Sequence, residues 1–369
     1  MSPSLDALEV LGSVRKELER NAVRARNGIK YVTGAEWSPP APTPSETIWR
    51  EGKAELRRYA GGRPSLRTPV LAFLGLVSRA YVFDLVAANS FVRRLMEAGF
   101  DTYVLDWGVP DETDAQNTIE TYVEGQLPRA IAAVLAESGA DDVNVIGYCM
   151  GGNLALLALA AEPELPVHNL VTMATPVDFG YMGPIAGALI DGRLDPEEFL
   201  DETGNVPPAL VGRFFKVRRP TADLVQYANL WQNLWNDEYM EGHQAMGRYL
   251  REQLPLPGAA FVQVTRDWLR DNAFMRDTVR LGGRRISLGD IRTPTLCVLC
   301  ERDDIVPEPA AVPLAGLLTG THVEQLRLDA GHSSLVVGRT AARVTMPRII
   351  DWLVRRSGAP AMQPEGVTV

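Results

Sequence analysis

The sequence predicts an α/β fold, a mostly parallel sheet with helices on both faces and an inserted helical cap. Two observations carry this expectation. From about residue 68, short apolar runs alternate with helix-length segments, the βαβ pattern of a parallel sheet covered on both faces. The alternation stops from Asp178 to Thr293, a stretch too long for a loop, and sheet-type runs resume after it.

Taken in order, residues 5 to 32 read as a polar amphipathic helix, followed by the extended linker Pro39-Pro40-Ala41-Pro42-Thr43-Pro44. Residues 1–65 are therefore expected to form an arm outside the core. The core pattern runs Pro69 to Leu76 strand, Leu85 to Ala98 helix, Phe100 to Asp106 strand and Thr118 to Ala140 helix. It continues with Val143 to Tyr148 strand, Met150 to Ala161 helix and Asn169 to Ala174 strand. After the interruption come strands Thr295 to Cys300 and Thr321 to Leu328 and a closing helix from Ala341 to Arg355. These runs divide the chain into a core of residues 66–178 and 294–357, a cap of 179–293, and a C-terminal tail of 358–369. The cap segment carries Phe214, Phe215, Tyr227, Trp231, Trp235, Tyr239 and Trp268. An independent helical domain is the rival reading, but the resumption of strands favours an insertion.

Composition narrows the function classes. A chain of 369 residues with 46% apolar content supports a substantial core. The formal charge of −9 argues against a nucleic-acid binder with a generally basic surface, though not against a local anion site. The longest apolar stretches are broken by Asp141, Asp142, Asn153 or Glu162, so none is expected to span a membrane. The mixed charges from Ser4 to Arg26 do not resemble a signal peptide, which makes a cytoplasmic location the expectation. Three cysteines are too few for a disulfide framework. Cys297 and Cys300 have CxxC spacing, but they lie inside an apolar strand run with no second ligand pair, so core packing is expected rather than redox chemistry or a metal site. No cofactor and no metal is implied.

The most informative run is Gly147-Tyr148-Cys149-Met150-Gly151-Gly152. It follows a buried strand and opens a helix as G-x-C-x-G, a nucleophile elbow with sulfur in place of oxygen. At such a corner the thiol stands at a helix N-terminus, where backbone N–H groups favour a thiolate and a developing oxyanion. A buried core cysteine is the bland alternative, and the flanking glycines argue against it.

A cysteine nucleophile needs a base, and that base needs a group to fix its orientation. Of four histidines, His168 precedes a strand, His243 lies in the cap segment and His322 opens a strand. His332 sits directly after the last strand, in Asp329-Ala330-Gly331-His332-Ser333-Ser334, where the α/β-hydrolase fold presents its catalytic histidine. The acid is expected in Glu301-Arg302-Asp303-Asp304, with Asp303 favoured over Asp304 and with Asp178 as rival from the preceding strand. Asp178 has a second reading as a helix cap. The order Cys149, Asp303, His332 is that of the α/β-hydrolase fold. The N–H of Met150 is the first expected oxyanion donor, and Val77 or Ser78, after the first core strand, supplies the second.

These residues resemble the catalytic subunit of polyhydroxyalkanoate synthases, over roughly residues 65 to 355. The resemblance rests on the cysteine box, Val77-Ser78-Arg79-Ala80-Tyr81-Val82-Phe83-Asp84-Leu85, Leu105-Asp106-Trp107-Gly108, Thr175-Pro176-Val177-Asp178-Phe179 and Leu230-Trp231-Gln232-Asn233-Leu234-Trp235-Asn236. It departs from the family at Ser78, where Asn is usual, at Asp304, where His usually follows the acid, and at Ser333-Ser334, where apolar residues are usual. The resemblance implies an acyltransferase that polymerises 3-hydroxyacyl-CoA, most simply 3-hydroxybutyryl-CoA, through a Cys149 thioester with release of CoA. The growing polyester chain stays bound, and storage granules are the implied location. The short N-terminal arm resembles the two-subunit type, which implies a noncatalytic partner subunit and a homodimer of this chain. Lys216, Arg218 and Arg219 read either as a CoA phosphate contact or as a solvated face. A thioesterase using the same triad and a noncatalytic granule-associated protein are the rival functions.

Overall fold

The computed structural model describes residues 5–34, 39, 41–59, 61, 64–216 and 229–358, and side chains over the same range except those of 5–11 and 214–216. The core strands are β1 (Ser45–Glu51), β2 (Ala54–Tyr59), β3 (Val70–Phe73), β4 (Thr102–Asp106), β5 (Val143–Tyr148), β6 (Val167–Met173), β7 (Thr295–Cys300) and β8 (Val323–Leu328). They pair in the order β1-β2-β4-β3-β5-β6-β7-β8. From β4 to β8 every pairing is parallel, while β1 and β2 are antiparallel to each other and β2 is antiparallel to β4.

Strand alternation sends side chains to two separate apolar layers. Leu71, Phe73, Val143, Val145 and Cys297 enter one layer, which packs against α3 (Leu127–Ser138) and α4 (Met150–Ala161). Val70, Ala72, Ile146, Tyr148 and Cys300 enter the other, which packs against α2 (Phe91–Glu97) and the closing helix Met346–Val354. The two CxxC cysteines thus face opposite sides of the sheet, and both are buried free thiols. Burial pushes the Cys297 thiol up to about 11 and the Cys300 thiol higher still, as expected of packing residues.

The N-terminal segment departs from the expected arm. Residues 45–59 form the β1–β2 hairpin at the sheet edge, with Ala54, Leu56 and Tyr59 buried in the core. The Thr43 amide and hydroxyl donate to the buried Asp84 carboxylate at 2.8 and 2.9 Å, tying the end of the proline-rich segment to the core. Only the helix α1 (Leu5–Thr33) lies apart from the sheet. Between β6 and β7 the chain carries helices Pro184–Ile190, Pro208–Lys216 and Asp237–Arg251, then short helical turns up to Arg276. Trp268, read from sequence as a cap aromatic, is buried against Phe179 and Phe274 in the layer under α4. Tyr227, Arg218, Arg219 and the tail 359–369 lie outside the described residues, as do the side chains of Phe214, Phe215 and Lys216.

Candidate active site

The sharp corner between β5 and α4 comes from its small residues. Cys149 takes φ 56° and ψ −124°, a left-handed φ that L side chains rarely adopt. Its amide donates to the Met173 carbonyl at 2.8 Å, and the Thr175 hydroxyl donates to its carbonyl at 3.2 Å. The flanking glycines let the backbones touch. A Cβ on Gly147 would lie 2.7 Å from the Gly152 Cα, and one on Gly152 would lie 1.9 Å from the Thr175 hydroxyl oxygen. The thiol is consequently presented at the start of α4.

Asp303 and His332 converge on this thiol from the loops after β7 and β8. His332 Nδ1 donates to Asp303 Oδ2 at 2.7 Å, and both side chains are almost wholly buried. Asp303 Oδ1 accepts from the backbone amides of Ile305 and Val306, each at 2.8 Å, which fixes the carboxylate. With Nδ1 engaged, Nε2 is the ring nitrogen left to face Cys149, and the two side chains line one pocket, close enough for Cys149 to act on the imidazole. Burial works against the imidazolium, but the Asp303 carboxylate and the neighbouring Cys149 outweigh it and hold His332 well above its ordinary value.

The rival acids stand elsewhere. Asp304 is exposed, and Asp178 caps the turn Phe179–Tyr181 by accepting from the Gly180 amide and from Asn272. The other histidines are structural. His168 bridges Asp142 and the Arg356 carbonyl, His243 stacks on Tyr239, and His322 lies 3.5 Å from Glu324.

Cys149 and His332 open into a largely apolar pocket of about 600 Å3, counting its mouth. Val77, Ser78 and Met150 line it beside the thiol, which puts all three residues considered for the oxyanion hole at one site. The helix Asp237–Arg251 roofs it with Met246, Tyr249 and Leu250, and Gln253 follows at the same helical spacing. Tyr249 packs edge-on against Tyr81 with ring centroids 5.6 Å apart, and Ser78, the residue that departs from the family pattern, lines the same pocket.

Two site residues escaped the sequence reading. Tyr249 carries only the signal of an apolar stripe on a helix. Tyr148, the variable residue of the cysteine box, stacks its ring on the His332 imidazole with centroids 5.0 Å apart and planes at 25°. Its hydroxyl donates to the His332 carbonyl at 3.0 Å.

The fold and the Cys–His–Asp array place the chain in a broad class, and comparison with known proteins agrees. A family model described as the alpha/beta hydrolase fold matches residues 81–338, so the chain belongs to the α/β hydrolases. A thermophilic esterase from Thermogutta terrifontis superimposes with a TM-score of 0.50 over 86% of this chain and 100% of the esterase, at 16% identity, a likeness of fold alone. Within that class, the poly(3-hydroxyalkanoate) polymerase subunit PhaC of Allochromatium vinosum is 30% identical over 333 residues, covering 89% of this chain and 93% of the relative. The subunit of the same name from Thiocystis violacea is 30% identical over 334 residues, with the same coverage. The chain therefore belongs to the poly(3-hydroxyalkanoate) polymerase family, a family of acyltransferases.

Proposed function

We propose that this chain polymerises 3-hydroxyacyl-CoA, with 3-hydroxybutyryl-CoA as the simplest substrate, into polyhydroxyalkanoate through a covalent thioester on Cys149. The observation that carries the reading is the buried Asp303–His332 pair, which shares one pocket with Cys149 at the elbow, in a chain 30% identical to a polymerase subunit. In the first step His332 Nε2 takes the thiol proton and Cys149 Sγ attacks the thioester carbonyl carbon. The Met150 amide, with Val77 as the second donor, stabilises the tetrahedral oxyanion. Collapse breaks the bond to the CoA sulfur, which leaves with the proton held by His332. One thioester replaces another, so the acyl-enzyme forms with little change in free energy and remains a good donor to an alcohol. In the second step the 3-hydroxyl of a bound chain or monomer gives its proton to the now neutral His332, its oxygen attacks the Cys149 thioester carbonyl, and the bond to Cys149 Sγ breaks as the new ester forms, with His332 returning the proton to the sulfur. Asp303 holds the His332 tautomer throughout and stabilises its charged form.

The chemistry calls for no cofactor or metal, because the thioester brings its own activation. The apolar pocket suits an intermediate that must be kept from water. A noncatalytic partner subunit, a homodimer of this chain and a site of action at the granule surface complete the reading. Among the described residues no helix is long and apolar enough to cross a membrane. Incubation with 3-hydroxybutyryl-CoA tests the function: polymer with free CoA is the expected result. Free 3-hydroxybutyrate with CoA would identify a thioesterase, and no CoA release would mean a binding role.

A further inference from the structure

We infer that Tyr148 is a positioning residue for the Cys149–His332 pair: its ring and hydroxyl together hold the histidine loop over the thiol. The inference rests on the reading of Cys149 and His332 as nucleophile and base.

His332 needs two constraints to meet Cys149 at a productive angle. Asp303 supplies one, fixing Nδ1 and so the direction of the Nδ1–Nε2 line. A single hydrogen bond leaves the ring free to rotate about that line and leaves the backbone of the Gly331–Leu335 turn free to drift. Tyr148 restrains both motions. Its ring, stacked on the imidazole and nearly parallel to it at 25°, limits rotation, and its hydroxyl bond to the His332 carbonyl at 3.0 Å pins the backbone. Tyr148 is itself rigid: it ends β5, is 4% exposed, and packs on Phe83 with centroids 6.4 Å apart. Because it immediately precedes Cys149, one stretch of backbone carries both the nucleophile and the support of its base. Small displacements of either would therefore be shared, which keeps the sulfur-to-nitrogen distance constant.

The hydroxyl is the informative part. A phenylalanine would fill the same space, so the bond to the His332 carbonyl is specific to this side chain. The ionisable groups acting on His332 are Asp303 and Cys149, and Tyr249, Cys149, Asp303 and Cys300 are those facing Tyr148. None of these donates to the His332 carbonyl in place of Tyr148.

The test compares wild type with Tyr148→Phe and Tyr148→Leu, using two readouts on the full chain. The first is the pH profile of Cys149 alkylation by iodoacetamide, followed by peptide mass, which reports how His332 acts on the thiol without any acyl substrate. The expected result is a profile displaced from that of wild type in Tyr148→Phe and further in Tyr148→Leu. The second readout is CoA release from 3-hydroxybutyryl-CoA. Loss of one hydrogen bond felt in the transition state should lower kcat roughly five- to tenfold while leaving KM unchanged. An alkylation profile of Tyr148→Phe superimposable on wild type overturns the inference, whatever the CoA assay gives. If wild type alkylates selectively at Cys149 but releases no CoA, the polymerase reading fails while the inference stands. Should the variants fail to fold, the His332 ring protons of the wild type decide: an upfield ring-current shift is expected, and unshifted resonances overturn the stacking on which the inference depends.

Discussion

At the residue scale the site's logic is a division of labour between three side chains that differ in what each can lose. Cys149→Ala removes the nucleophile with little change in volume, so CoA release should fall on the order of 10⁴-fold or more while the thermal midpoint holds. Cys149→Ser should retain very little, because a hydroxyl beside the same histidine is a far weaker nucleophile than a thiol. His332→Gln should abolish single-turnover acylation. Asp303→Asn should slow it without stopping it, since the thiol keeps a base whose tautomer is no longer fixed. Asp304→Asn should be much milder than Asp303→Asn, because Asp304 is exposed while the buried Asp303 carboxylate holds His332 and accepts from the Ile305 and Val306 amides. Quench measurements of CoA release across these variants check the set. A severe Asp304→Asn defect beside a mild Asp303→Asn one would reverse the assignment.

At the element scale, the corner at β5–α4 is set by close backbone contact rather than by any strong interaction. Gly152→Ala would drive a Cβ to 1.9 Å from the Thr175 hydroxyl oxygen and 2.9 Å from its Cβ. Overpacking of this kind should cost about 1–3 kcal/mol, measured as a lower denaturation midpoint in urea. The same contact explains why this part of the fold was legible in the sequence: glycines on both sides of a cysteine, after an apolar strand, have few other uses. Helix α4 follows the expected run Met150 to Ala161 residue for residue, because the strand before it and the polar Glu162 after it bound a run that is apolar from Leu154 to Ala161. The hairpin β1–β2 was not legible. It is an edge pair whose strands, Ser45–Glu51 and Ala54–Tyr59, show mixed exposure and carry Glu46, Arg50, Glu55, Arg57 and Arg58, the charged edge that blunts unwanted strand pairing. Ala54, Leu56 and Tyr59 are its only fully buried apolar residues, too few to outweigh the charge around them or the proline run before it. Asp303 was readable only to within one residue. Sequence spacing placed an acid after β7, but the choice over Asp304 depends on which carboxylate the Ile305 and Val306 amides reach. Tyr148 and Tyr249 gave no signal of a role at the site, since each occupies a position that any large apolar residue satisfies in pattern.

At the scale of the whole molecule, three layers stack above the thiol, from the active-site loops through the roofing helix to the N-terminal helix. Helix α1 lies against the outer side of the segment 230–243. Asn27, wholly buried, donates to the Leu234 carbonyl at 2.7 Å and to Asp237 at 2.8 Å, Arg20 covers the Trp235 ring at 4.7 Å, and Tyr31 packs with Leu230, Leu234 and Met240. Asn27→Ala leaves the Leu234 carbonyl without this donor and should loosen the dock by about 1–3 kcal/mol, seen as faster proteolysis within α1. The helix Asp237–Arg251 and the residues just after it are fastened to the loop after β3 at three points. Tyr249 packs edge-on against Tyr81, the Tyr81 hydroxyl donates to Glu252 at 2.7 Å, and the Leu254 amide donates to the Val77 carbonyl at 3.0 Å. The Val77 loop lines the pocket and the fastened helix roofs it, so a change that loosens the roof also frees the loop. Tyr81 is the fastening whose loss disturbs least, because Tyr81→Phe keeps the edge-on packing of its ring against Tyr249 at 5.6 Å and removes only the bond to Glu252. This variant should let a bulky maleimide reach Cys149 roughly two- to tenfold faster than in wild type, with iodoacetamide, small enough to enter past a closed roof, almost unaffected. Equal acceleration of both reagents would mean that the substitution had disturbed the thiol rather than the roof. No acceleration of either would mean that the Tyr81–Glu252 bond does not hold the roof closed.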